Sequence, residues 1–66
     1  MSIHVNGEQS TLAPGTSVAA LVDELAPSPK GIAVAVNGDV VPRSAWGDVT
    51  LADGDRVEVL GAAQGG

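Results

Sequence analysis

The sequence predicts an α+β domain: a mixed sheet of four to five strands with one main helix packed on one face. Three observations predict it. Two Asn-Gly dipeptides, Asn6-Gly7 and Asn37-Gly38, each join stretches of strand-forming residues. One segment carries apolar residues at helical spacing. The chain has 66 residues, which leaves room for one domain with one thin core. A compact chain of that length has a radius of gyration of about 11 Å.

Ile3 and Val5 alternate with Ser2 and His4, a period-two strand pattern. Asn6-Gly7 suits a type I′ hairpin turn, in which both central residues need positive φ. The returning strand is expected over residues 8–12, and Ala13-Pro14-Gly15 breaks the pattern. Ser17, or Thr16 in its place, is a good helix N-cap. Val18, Leu21, Val22 and Leu25 follow at i, i+3, i+4, i+7 and form one apolar stripe, with Asp23 and Glu24 turned to solvent. Pro27 and Pro29 stop the helix. So short a helix is unstable alone, so its stripe must lie on a sheet. The expected partners are Ile3, Val5, Val34, Val36, Val57 and Val59.

Residues 32–36 are apolar on both faces, Ile32, Val34 and Val36 on one and Ala33 and Ala35 on the other, which marks an interior strand. After Asn37-Gly38 the chain returns through Val40-Val41, and Pro42 ends that strand. Ser44-Ala45-Trp46 reads as a short helical turn and Asp53-Gly54-Asp55 as a tight one. The last strand is expected over residues 56–60, with Val57 and Val59 inward. Residues 61–66 hold nothing that forms a core and are expected to be a flexible tail behind a domain of residues 1–60. The order is β-β-α-β-(β)-β. The helix is then the crossover that lets a later strand lie parallel to the first. A β-grasp, ubiquitin-like arrangement is the closed form of this order.

Composition narrows the chemistry. There is no Cys, which excludes a disulfide scaffold, a thiolate metal site and a cysteine nucleophile. A single His excludes a His-rich metal site. The net charge of −5 argues against nucleic acid and anionic membranes and for a partner with a basic docking face. No apolar run reaches the ~18 residues of a membrane span. The start, Met1-Ser2-Ile3-His4, has no signal-peptide pattern, so a cytoplasmic location is expected.

Few side chains suit catalysis. His4 is the only conventional general base, and its place in a strand reads as a solvated position with no triad partner. Asp53-x-Asp55 resembles the opening of a calcium loop, but the rest of that motif is missing and a turn explains it. No phosphate-binding glycine loop is present. Trp46, the sole aromatic residue, reads as a cover for the core's edge rather than a partner anchor.

The remaining candidate is Gly65-Gly66. Six residues extended reach about 20 Å. Glycine has no Cβ, so such an arm can thread a narrow channel. The carboxylate of Gly66 is a poor electrophile and ionised at neutral pH. An enzyme with ATP can convert it to an acyl-adenylate, and a sulfur nucleophile can then expel AMP to leave a thiocarboxylate. A chain without Cys would thus carry sulfur on its own end, with no bound cofactor. Leu60, outward beside Arg56 and Glu58 and next to the arm, is the candidate docking contact.

One resemblance sharpens this. Asn6-Gly7, Val18-x-x-Leu21-Val22-x-x-Leu25, the run Ala33-Val34-Ala35-Val36-Asn37-Gly38-Asp39-Val40-Val41-Pro42-Arg43-Ser44-Ala45-Trp46, Asp53-Gly54-Asp55 and Gly65-Gly66 together resemble the ThiS family. These are the sulfur carriers of thiamin thiazole biosynthesis, and the likeness spans nearly the whole chain. It implies a β-grasp fold and ATP-dependent adenylation of Gly66 by a ThiF-type adenylyltransferase. A sulfur donor such as a cysteine desulfurase would supply the thiocarboxylate, and a ThiG-type thiazole synthase would accept the sulfur. Gly65, Gln64, Ala63 and Ala62 would thread into the partner active sites. Gly61-Ala62-Ala63-Gln64 departs from the bulky apolar residues that usually precede the glycines in this family. The neighbouring readings are a sulfur carrier for molybdopterin or cysteine synthesis, a ubiquitin-like protein modifier joined through Gly66 to a lysine, and a small β-grasp binding module with an inert tail.

Overall fold

The two Asn-Gly turns take the backbone their residues favour. Asn6 and Asn37 have φ of 52° and 53°, and Gly7 and Gly38 have φ of 84° and 87°. Asparagine tolerates the left-handed region better than other side chains, and glycine enters it freely. The first turn joins β1 (Ser2–Val5) to β2 (Glu8–Thr11), and the second joins β3 (Ile32–Val36) to β4 (Asp39–Val41). Both hairpins are antiparallel, with Val5 opposite Glu8 and Val36 opposite Asp39. Strand β2 stops one residue short of the expected Leu12, although the Leu12 N–H still donates to the Met1 carbonyl at 2.8 Å. The computed structural model describes residues 1–26 and 30–61, so Pro27 and Pro29 lie outside the described residues.

Helix α1 (Val18–Leu25) begins where a cap is available. The Ser17 hydroxyl oxygen accepts the Ala20 N–H at 3.1 Å, which satisfies one of the helix's free amides. Val18, Leu21 and Val22 are buried, as the stripe requires. Leu25 departs from the expectation, since it is 50% exposed. It is the last residue of the helix, and it overhangs a depression shared with Glu8, Ser10 and Ile32 rather than the packed core.

A 3₁₀ helix (Arg43–Asp48) follows β4, longer than the short turn expected, and β5 (Arg56–Gly61) ends the described chain. Gly61 belongs to that strand and lies opposite Ile32. The sheet order is β2-β1-β5-β3-β4. Strand β5, last in sequence, lies at the centre, parallel to β1 and antiparallel to β3. This is the mixed sheet with one covering helix that the element order predicts. The Cα radius of gyration is 11.0 Å, as expected of a compact chain this long.

The inner face of the sheet supplies Ile3, Val5, Val34, Val41 and Val57 to the core, and the helix supplies its stripe. Val36 and Val59, expected to be buried, are only half-buried at the margin of this cluster. Their place is taken by Trp46 and Leu51, both at most 5% exposed. Trp46 thus closes the edge of the core, and its indole N–H donates to the Val41 carbonyl at 2.9 Å. Residues after the 3₁₀ helix tie down the start of α1: Val18 N–H donates to the Val49 carbonyl and Leu51 N–H to the Thr16 carbonyl, each at 2.9 Å.

Two stability measurements check this packing. In urea unfolding, Leu21→Ala is expected to lose about 2–5 kcal/mol, whereas Leu25→Ala loses well under half of that because Leu25 is already half in water. Trp46→Phe keeps most of the apolar volume but removes the indole hydrogen bond to the Val41 carbonyl, with an expected loss of about 0.5–1.5 kcal/mol.

Candidate functional site

The helix covers one face of the sheet and leaves the other open. Strand periodicity decides what stands on that outer face. His4 lies opposite Gln9 on one side and Arg56 on the other. Glu58 lies opposite Ala35, Ala35 opposite Val40, and Leu60 opposite Ala33. The face is therefore polar at the end where β5 starts. It is apolar at the end where β5 leads into residues 62–66.

The apolar end is an open groove of about 510 Å³, lined by Asn6, Ala33, Ala35, Val40, Glu58 and Leu60 among others. Val40 is 78% exposed and Leu60 69%. Ala33 and Ala35 are small, so the two larger side chains stand above a flat floor. Isolated exposed leucines are ordinary in proteins. A Leu and a Val flanking an alanine floor form a contiguous patch instead.

The structure places Leu60 where the alternation predicts, exposed on the outer face. Ala62, Ala63, Gln64, Gly65 and Gly66 lie outside the described residues. His4 is exposed on the polar end of the same face. The acidic turn is used for structure. Asp53 Oδ1 accepts the Ser2 N–H at 2.6 Å. Asp55 Oδ2 accepts the Ala52 N–H at 2.8 Å, and its Oδ1 accepts the Asn37 amide at 3.0 Å.

Val40 belongs to the patch although the sequence drew no attention to it. The available signal was parity: Val40 and Val41 are consecutive in a strand, so one of them must face outward. The side chain of Asn6 was also missed. Beyond its turn-forming role it reaches the backbone of Val59, and no pattern of residue types records that.

The sheet order and the one α-helix among the described residues define a ubiquitin-like β-grasp domain with an apolar outer patch near the end of its last strand. The ThiS family model matches residues 3–66. The crystal structure of the thiamine biosynthesis protein ThiS from Geobacter metallireducens superposes with a TM-score of 0.82, at 36% identity over 91% of each chain. The sulfur carrier protein ThiS of Escherichia coli (strain K12) is 32% identical over 66 residues, covering 100% of both chains. A thiazole synthase of Paramagnetospirillum magneticum (strain ATCC 700264 / AMB-1) is 33% identical over 100% of this chain, which spans only 20% of that protein. The chain belongs to the ThiS family.

The outer patch is expected to contribute nothing to folding. Val40→Ser and Leu60→Ser should each change stability by no more than about 0.5 kcal/mol in urea titrations, because both side chains are already in water.

Proposed function

We propose that this chain is the sulfur carrier for thiamin thiazole synthesis, and that its working group is the carboxylate of Gly66. The observation that carries this is the family match, which runs through Gly66 and agrees with E. coli ThiS over its full length. In this reading the protein is not an enzyme. It is a substrate handed between enzymes in the cytoplasm.

The cycle has two steps at the terminus. A carboxylate oxygen of Gly66 attacks the α-phosphorus of ATP in a ThiF-type adenylyltransferase, and pyrophosphate leaves. A sulfur nucleophile then attacks the acyl carbon and AMP leaves. If that nucleophile is a persulfide, such as one formed on a cysteine desulfurase, the acyl disulfide is reduced by a second thiol to the thiocarboxylate. A ThiG-type thiazole synthase then accepts the sulfur. Support for that last partner comes from the thiazole synthase relative, in which a segment matching this whole chain makes up a fifth of one polypeptide.

The body supplies docking and reach. The patch around Leu60 and Val40 offers the apolar contact. The net charge of −5 favours a partner surface with a basic rim. Beyond Gly61, residues 62–66 extend at most about 17 Å, far enough to enter a channel that excludes water from the acyl-adenylate.

Pyrophosphate exchange with the adenylating enzyme tests the terminus. An Ala added after Gly66 moves the carboxylate about 3.5 Å from its place. That extension, deletion of Gly66, and Gly65→Val should each abolish most exchange and leave thermal unfolding unchanged. Normal exchange by the extended chain, with mass spectrometry excluding its trimming back to Gly66, would refute the assignment. Leu60→Ser should weaken binding to the adenylating enzyme about tenfold in calorimetry, equivalent to about 1.4 kcal/mol.

A further inference from the structure

Strand β5 outruns its neighbour. Strand β1 ends at Val5, where the chain turns away, while β5 continues to Gly61. Along the edge facing β1, the Asp55 carbonyl accepts the His4 N–H and the Val57 carbonyl accepts the Asn6 N–H, each at 2.9 Å. The next group on that edge is Val59, and there is no further β1 backbone to meet it. The Asn6 side chain does so instead. Its Oδ1 accepts the Val59 N–H at 2.8 Å, and its Nδ2 donates to the Val59 carbonyl at 3.1 Å. A carboxamide has the same donor and acceptor as a peptide unit, so Asn6 extends the ladder by one rung.

The second Asn-Gly turn does the same at the other end of β5. Asn37 N–H donates to the Arg56 carbonyl at 2.7 Å, and Asn37 Oδ1 accepts the Arg56 N–H at 2.9 Å. Both asparagines share φ near 50° and both are exposed. The difference is position. Asn37 holds the first residue of β5, whereas Asn6 holds a residue two before its last, at the root of residues 62–66.

We infer that Asn6 is a positioning residue for the carboxylate of Gly66: its side-chain amide keeps the final residues of β5 in the sheet, so that the residues after Gly61 start from a fixed base when the terminus is presented to the ATP-bound enzyme. This rests on the adenylation reading above. An arm launched from a frayed strand loses both reach and direction. Errors of about 1 Å in a reacting group can slow a reaction by about a hundredfold. Asn6 touches neither ATP nor the carboxylate and acts only through Val59.

The test compares Asn6→Gly with Asn37→Gly. Both keep the turn, since glycine accepts positive φ, and each deletes two side-chain hydrogen bonds. Those of Asn6 both go to Val59. Those of Asn37 go to the Arg56 N–H and the Asp55 carboxylate, and the Asn37 backbone N–H stays on the Arg56 carbonyl. Asn6→Gly should speed amide exchange at Val59 and increase the backbone motion of Leu60 and Gly61 in ¹⁵N relaxation. Its kcat for pyrophosphate exchange should fall roughly tenfold to a hundredfold with KM unchanged. Asn37→Gly should lose comparable thermal stability and keep kcat. If Asn6→Gly does not fold, Asn6→Asp serves in its place. It keeps the turn and the acceptor for Val59 N–H but sets a carboxylate oxygen against the Val59 carbonyl, and kcat should fall in the same direction. Unchanged Val59 exchange in Asn6→Gly, an equal fall of kcat in Asn37→Gly, or a change confined to KM overturns the inference. A wild-type chain that supports no pyrophosphate exchange would instead overturn the adenylation reading, and the Val59 and Gly61 measurements would still decide whether Asn6 holds the strand.

Discussion

The structure depends on where its last strand sits. Strand β5 is paired on both sides, to β1 and to β3. Its Val57 is 1% exposed, at the middle of the apolar layer beneath the helix. The two flanking hairpins are each local, and each would be a marginal two-stranded unit alone. Strand β5 joins them into one sheet wide enough to carry α1. The C-terminal segment therefore follows a central strand of the sheet rather than an edge strand. In the proposed function, that topology sets the residues that carry the working carboxylate directly after a strand that the sheet holds on both sides.

The sheet's two faces divide the labour. The inner face, with α1, Trp46 and Leu51, makes the domain fold. The outer face contributes small side chains beneath Val40 and Leu60 and takes no part in the core. A patch that does not stabilise the fold is free to be shaped by what it binds. The acidic turn residues are outside this division, since Asp53 and Asp55 are committed to backbone and side-chain hydrogen bonds that fix the approach to β5.

Much of this was legible from residue types. Period-two alternation located the strands, because a sheet with one buried face imposes it. The Asn-Gly dipeptides located both hairpins, because few residues tolerate their φ values. Helical spacing located α1 but overstated its buried stripe. Spacing says which side chains share a face, not how closely each one packs, and Leu25 stands half exposed over a depression lined by Glu8, Ser10, Ile32 and Val59. Leu51 was missed because it lies outside any regular element, where periodicity gives no signal. The outer patch was half legible. Leu60 was singled out from the alternation of β5, but Val40 needed the pairing of Ala35 with β4 to be recognised as its companion. The Asn6 contact with Val59 spans 53 positions in sequence and could come only from the assembled fold.

The parallel pairing of β1 with β5 also governs how the domain forms. His4 meets Arg56 and Val5 meets Val57, so the central rungs join residues from near the two ends of the chain. Almost the whole chain must be drawn into a loop before those rungs can reward it, and loop closure is an entropic cost met in advance. Domains dominated by such distant contacts cross their folding barrier more slowly than those built from neighbouring ones. The hairpins and α1 can form and dissolve quickly by themselves. Only closure of the ends gives the helix a complete floor, so a chain that has not closed exposes its apolar stripe and has no firm base for its arm. The rate at which the two ends find each other thus sets how soon a newly made chain can serve as a carrier.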